Sequence, residues 1–180
     1  ETVPGPVLAH TRYSLTEGIP VKQFCAILFL AVASSASAEQ RPLVHPLFSD
    51  HMVLQRDKKV AVWGWDNPGQ KVTVSFQSAK ESAVADNSGK WTVSLGPFAA
   101  NRRGQTLTIS GSQTQTFSDV LVGDVWICSG QSNMEWSVAL SNNAEQEIRN
   151  GNHDTIRLFT VPKRISLTLQ ETVQATWQTC

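Results

Sequence analysis

The sequence predicts a two-part chain: a β-sandwich over residues 47–118, then the opening of an α/β domain with a parallel sheet over residues 119–180. Three observations carry this. Alternating apolar and polar runs, separated by turn signals, recur from Val60 to Ser110. Short strands of that kind each bury one face, so they pack as two sheets. At Val120 the pattern changes to a continuous apolar run, Val120 to Ile127, rich in β-branched residues and too short for a free-standing helix. Such a run reads as a strand buried on both faces. A short helix pattern and a second apolar run follow it, which is the order of a βαβ unit.

Taken in order, residues 1–20 show no periodicity and contain three prolines. They read as an unstructured leader, or as a stretch upstream of a true start at Val21. Residues 21–38 have the three parts of a secretory signal peptide: Lys22, the apolar Phe24 to Ala33, and an Ala36-Ser37-Ala38 cleavage site. The apolar core is too short for a permanent membrane span. The mature chain is therefore expected to start at Glu39, to be secreted or periplasmic, and to have no membrane partner. Glu39 to Pro46 reads as a linker.

In the expected sandwich, Val60, Val62 and Gly64 oppose Ala61, Trp63 and Trp65, and Asn67-Pro68-Gly69 makes a turn. Val72, Val74 and Phe76 share a face. Asp86-Asn87-Ser88-Gly89 is the next turn, and Trp91, Val93 and Leu95 share the face after it. Leu107 and Ile109 close the series before Asp119. No charged constellation over 47–118 points to catalysis.

In the second part, Asn143 to Arg149 reads as a helix with Asn143 as N-cap, Gln146 three residues on, and Gly151 as the stop. Ile156 to Val161 reads as a second strand, parallel to the first through a right-handed crossover.

Lysine plus arginine equals aspartate plus glutamate at 15 each. With no basic block, the electrostatic footprint of a nucleic-acid binder is missing. Of three cysteines, Cys25 leaves with the signal peptide, and Cys128 and Cys180 remain as one candidate pair. Cys128, at the end of the expected buried strand, reads as a packed, inert thiol. Six tryptophans suit core packing or, where exposed, sugar stacking.

The Val120–Ile127 run ends in Cys128-Ser129-Gly130-Gln131-Ser132-Asn133-Met134. Chemistry in open α/β sheets sits just past the carboxyl ends of strands, so Ser132 stands where a nucleophile would. Serine, glycine and asparagine are also ordinary turn residues. The Gly-x-Ser-x-Gly elbow is not met, since Met134 stands in place of its second glycine.

The stretch Gly123-Asp124-Val125-Trp126-Ile127-Cys128-Ser129-Gly130-Gln131-Ser132-Asn133-Met134-Glu135-Trp136 resembles the first block of the sialate O-acetylesterases, within the wider SGNH-type hydrolases and carbohydrate esterases. Leu47-Phe48-Ser49-Asp50 with Met52-Val53-Leu54-Gln55 resembles the opening of that family's N-terminal domain. Ile156 to Val161 and Trp177-x-x-Cys180 resemble later stretches. The resemblance implies that 119–180 begins a flavodoxin-like SGNH domain with Ser132 as nucleophile. It further implies cleavage of acetyl esters on sialic acid or related sugars, without metal or organic cofactor. An acetylxylan-type esterase is the near alternative, and a non-catalytic glycan-binding or interaction module the distant one.

The family's base histidine with its acidic partner, and its oxyanion glycine and asparagine, belong to later blocks than any present here. Of the four histidines, His10 and His45 fall outside the expected domains, His51 matches the sandwich motif as a structural or surface residue, and His153 reads as a surface-loop residue. The chain is therefore read as a fragment that is inactive alone.

Overall fold

A computed structural model describes residues 41–180; the expected leader and signal peptide lie outside the described residues. The described chain is mostly sheet. Strands β1 (Val53–Gln55), β2 (Val60–Trp65), β3 (Lys71–Phe76), β4 (Ala79–Val84), β5 (Lys90–Leu95), β6 (Asn101–Ser110) and β7 (Thr114–Gly123) follow one another. A curled, mixed five-stranded sheet has the order β1-β7-β6-β3-β4, with β1 parallel to β7 and the other pairs antiparallel. β2 and β5 form a separate antiparallel pair.

The period-two patterns fall as expected. Val72, Val74 and Phe76 of β3, Val93 and Leu95 of β5, and Leu107 and Ile109 of β6 are all buried. With Val62 of β2 and Trp91 of β5 they form one apolar cluster shared by the two sheets. Burying such side chains stabilises by about 1.5–3 kcal/mol each. The turn at Asp86–Gly89 is built as its sequence requires. Asp86 Oδ1 accepts from the backbone of Ser88 and Lys90, and Gly89 takes φ +80°, a value glycine adopts without steric cost.

Two expectations are corrected here. The described end of the linker expected over Glu39–Pro46 joins the core. Leu43 and Val44 are buried, the Trp65 N–H donates to the Leu43 carbonyl at 3.1 Å, and the Trp91 indole donates to the same carbonyl at 2.9 Å. Gly64 permits this approach, because a Cβ there would lie 2.1 Å from the Leu43 oxygen. The boundary expected between 118 and 119 falls inside β7. That strand runs on to Gly123, antiparallel to β6 and parallel to β1. The apolar run at Val120 is buried on both faces because it continues this sheet.

After Gly123 the chain is mostly irregular to Asn143. A seven-residue helix α1 (Ala144–Asn150) follows, then β8 (Arg157–Phe159) and β9 (Trp177–Thr179). The helix was legible and its caps fall at the expected Asn143 and Gly151, though neither has the usual cap geometry. Asn143 is left-handed with no side-chain cap bond, and Gly151 has φ −76°. β8 pairs antiparallel with β9 rather than parallel with the Val120 strand. Among the described residues no helix is long and apolar enough to cross a membrane.

Candidate active site

β7 ends where its partner ends. The last β1–β7 pair is Gln55 with Gly123, and beyond it no strand among the described residues flanks Asp124 to Ile127. A strand without a neighbour leaves its backbone groups unpaired. Residues 124–131 are accordingly irregular, with Trp126 83% and Ile127 94% exposed. The expected strand through Ile127 is thus cut at Gly123, and Ser132 does not follow a strand end directly.

The start of this segment is nevertheless fixed. Arg56 Nε donates to Asp124 Oδ1 at 2.9 Å, and the Val125 N–H donates to Gln55 Oε1 at 2.9 Å. The Arg56 N–H donates to the Gly123 carbonyl at 2.9 Å. β1 therefore sets the direction in which the chain leaves the sheet.

Ser132 opens a 3-10 turn, Ser132–Glu135, reached through an extended Gln131. The Met134 N–H donates to the Gln131 carbonyl at 2.9 Å and the Trp136 N–H to Asn133 at 3.2 Å. Gly130 has a steric reason: a Cβ there would come 2.8 Å from Met134 Cγ. Glu135 pairs with Lys163, which ties the turn to a later segment. Ser132 is exposed, as are its neighbours on either side.

The histidines fall elsewhere. His45, expected outside the domains, is half-buried, with its ring 5.2 Å from Trp63 and 6.2 Å from Trp65. Burial pushes its imidazole below the ordinary value. Its Nδ1 accepts from the Leu47 N–H at 3.0 Å, which calls for the neutral ring. His51 Nδ1 lies 2.8 Å from Asp119 Oδ2. His153 is exposed, and its backbone N–H donates to the Cys180 carbonyl. None of these three hydrogen-bonds Ser132; His10 lies outside the described residues.

Cys128 is a correction: it is exposed and free, not packed. Cys180 is also free, with its Sγ 3.0 Å from the Gly151 carbonyl, so the two form no disulfide here.

Sequence reasoning passed over a cluster on the rim of the five-stranded sheet. Asp119 Oδ2 meets both His51 and Arg157 Nη2, the latter at 2.9 Å. The hydrogen bond from His51, and then that from Arg157 with its charge, hold the Asp119 carboxyl below the usual range against partial burial. An isolated Asp between a strand and an apolar run gives no signal of this, because its partners stand 68 and 38 residues away.

No family model matches the chain. Curated relatives do. It is 32% identical to the sialate O-acetylesterase of Mus musculus over 79% of this chain and 28% of that protein. It is 34% identical to the Homo sapiens protein of the same name over 63% of this chain and 24% of that one. Among solved structures it is similar to a carbohydrate acetylesterase from Xanthomonas citri, with TM-score 0.72 and 35% identity. That match covers 78% of this chain and 32% of the other. The chain thus spans about a quarter of the length of the curated relatives it matches.

Proposed function

We propose that this chain, sialate O-acetylesterase-like in sequence and similar in fold to a carbohydrate acetylesterase, supplies the nucleophile of a serine carbohydrate O-acetylesterase, with Ser132 in that role. The observation that carries the proposal is the Gly123–Trp136 block, which holds Ser132 exposed on a turn at the end of an irregular stretch whose exit from β7 is fixed by Gln55 and Arg56. The proposed substrate is an O-acetylated sugar, sialic acid or a relative. No resident metal or organic cofactor enters the proposal.

In the proposed reaction Ser132 Oγ attacks the acetyl carbonyl while a base takes its proton. The tetrahedral intermediate is held by hydrogen-bond donors, each worth about 10²–10³ in turnover. The sugar hydroxyl leaves with a proton from the base, and water then releases acetate from the acetyl-serine. The base belongs, by resemblance, to a later block. Residues 42–123 form a sandwich in this reading, since both sheets feed one core. Residues 124–180 begin the SGNH domain, whose further strands would cover Trp126, Ile127, Ile165, Leu167 and Leu169, all now strongly exposed.

The test is acetate release from an acetylated sugar by a polypeptide extended to the relatives' length, with and without Ser132→Ala. Loss of most activity in that variant is expected. Undiminished release would remove Ser132 from the mechanism, and glycan binding with no acetate release by the extended protein would favour a binding module.

A further inference from the structure

We propose that Asp119 is a clasp that fixes the β8–β9 hairpin to the rim of the five-stranded sheet, so that the segment carrying Ser132 is anchored at its far end as well as at its start. This inference stands whether or not Ser132 is a nucleophile.

Four features converge on this one carboxylate. Between the pairs Gln105–Val120 and Leu107–Phe117 the strand β7 is bulged, with Ser118 and Asp119 opposite the single Thr106. A bulge re-aims a side chain out of the regular alternation. Asp119 itself has φ +52° and its partner His51 φ +66°. Two non-glycine residues in the left-handed region cost free energy and persist only where their surroundings hold them. Gly104 clears the space: a Cβ there would lie 2.3 Å from Asp119 Oδ1 and 2.8 Å from its Cα. Finally, the turn before β1 is laced to the bulge. Asp50 Oδ1 accepts from Ser118 N–H and Oγ, and the His51 N–H donates to the Ser118 carbonyl.

What the carboxylate reaches is the guanidinium of Arg157, the first residue of β8. That side chain is 4% exposed. Its Nη1 donates to the carbonyls of Asp154 and Ile156, and its Nη2 to Asp119. Asp119 is its only acidic partner among the described residues. A buried cation that loses its counter-charge is destabilised, so losing Asp119 weakens the hairpin's hold on this position. Trp177 of β9 docks beside it, its indole donating to the Leu47 carbonyl.

Hydrogen exchange on the 180-residue chain tests this. The reporters are the amides of His153 and Cys180, which close the hairpin's base onto Cys180 and Ile156, and the Trp177 indole N–H. The core amides of β3 and β5 serve as the reference. Asp119→Ala is expected to speed exchange at the reporters by about tenfold, the scale of a lost charged hydrogen bond, and to leave the reference amides unchanged. Arg157→Met should do the same, and the double variant should add little to either single one, because both remove one interaction. Unchanged reporters in Asp119→Ala would overturn the clasp. So would equal acceleration at the reference amides, or effects of the two substitutions that simply sum. If Asp119→Ala does not fold, Arg157→Met and Asp119→Asn decide: the reference strands must stay protected while the hairpin opens.

Discussion

The indole of Trp177 donates a 2.8 Å hydrogen bond to the Leu47 carbonyl, joining residues 130 positions apart. Phe159, its partner in the β8–β9 pairing, packs against it with ring centroids 5.3 Å apart. Trp177→Phe removes the donor and keeps an aromatic ring. A loss of about 1 kcal/mol is expected, read as a lower urea midpoint with an unchanged slope. Trp177→Ala also removes packing against the core and should cost more.

Acid should release the same hairpin. Asp119 has its folded-state pKa lowered, first by the His51 hydrogen bond and then by Arg157. A depressed carboxylate contributes stability that is fully present above its unfolded value of about 3.9 and is lost as pH falls through the folded value. Protection of the β8–β9 amides should therefore fall below about pH 4, and Asp119→Asn should flatten that dependence. Asp50, lowered by the Ser118 backbone and hydroxyl, acts in the same direction on the β1 turn, so the comparison has to be made at matched pH.

Gly64→Ala should damage the core from its N-terminal side. Its Cβ would meet backbone atoms, the Leu43 oxygen at 2.1 Å and Val44 Cα at 2.5 Å, and backbone cannot step aside as a flexible side chain can. Overpacking of this kind costs about 1–3 kcal/mol. A chain beginning at Leu47 should be destabilised as well, since it lacks the buried Leu43 and Val44. Thermal melts of both against a chain beginning at Glu39 check this.

The alternating strands were legible because each buries one face, and period-two patterning records that directly. Val72, Val74 and Phe76 are the example. Leu43 and Val44 were missed because they are a short apolar pair beside prolines that joins the core without forming a strand. The Val120–Ile127 run was read as buried, which holds for Val120 to Val122 but not for Val125 to Ile127, and it was given to the wrong sheet, since composition does not say which neighbour a strand pairs with. Ser132 was singled out only through its neighbours in the block, and its role stands as a proposal. The Asp119 cluster was not legible at all, because bulges and left-handed backbone leave no periodic trace.

Cys128 should behave as a surface thiol. With Cys25 replaced by serine, a thiol reagent should modify Cys128 rapidly in the folded chain, and Cys180, half-buried with its Sγ on Gly151, more slowly. Cys128→Ser should change stability by no more than about 0.5 kcal/mol, as surface substitutions do. Protection of Cys128 from the reagent would restore the packed reading.

The last prediction concerns catalysis by the chain as it stands. Ser132 is exposed on a turn, but a serine hydroxyl is a weak nucleophile at neutral pH without a base. Two of the three described histidines have engaged rings, His45 between Leu47 and two tryptophans and His51 at Asp119, and the exposed His153 makes no hydrogen bond to Ser132. The 180-residue chain should therefore release hardly any acetate from an acetylated sugar or a chromogenic acetate ester. A polypeptide extended to the relatives' length should be active, and Ser132→Ala should abolish most of that activity while leaving β3 and β5 amide protection intact. Cys128→Ser in the extended protein should matter far less. Robust turnover by the 180-residue chain, lost on His153→Ala, would instead make His153 the base and require the loop before β8 to fold over the Ser132 turn.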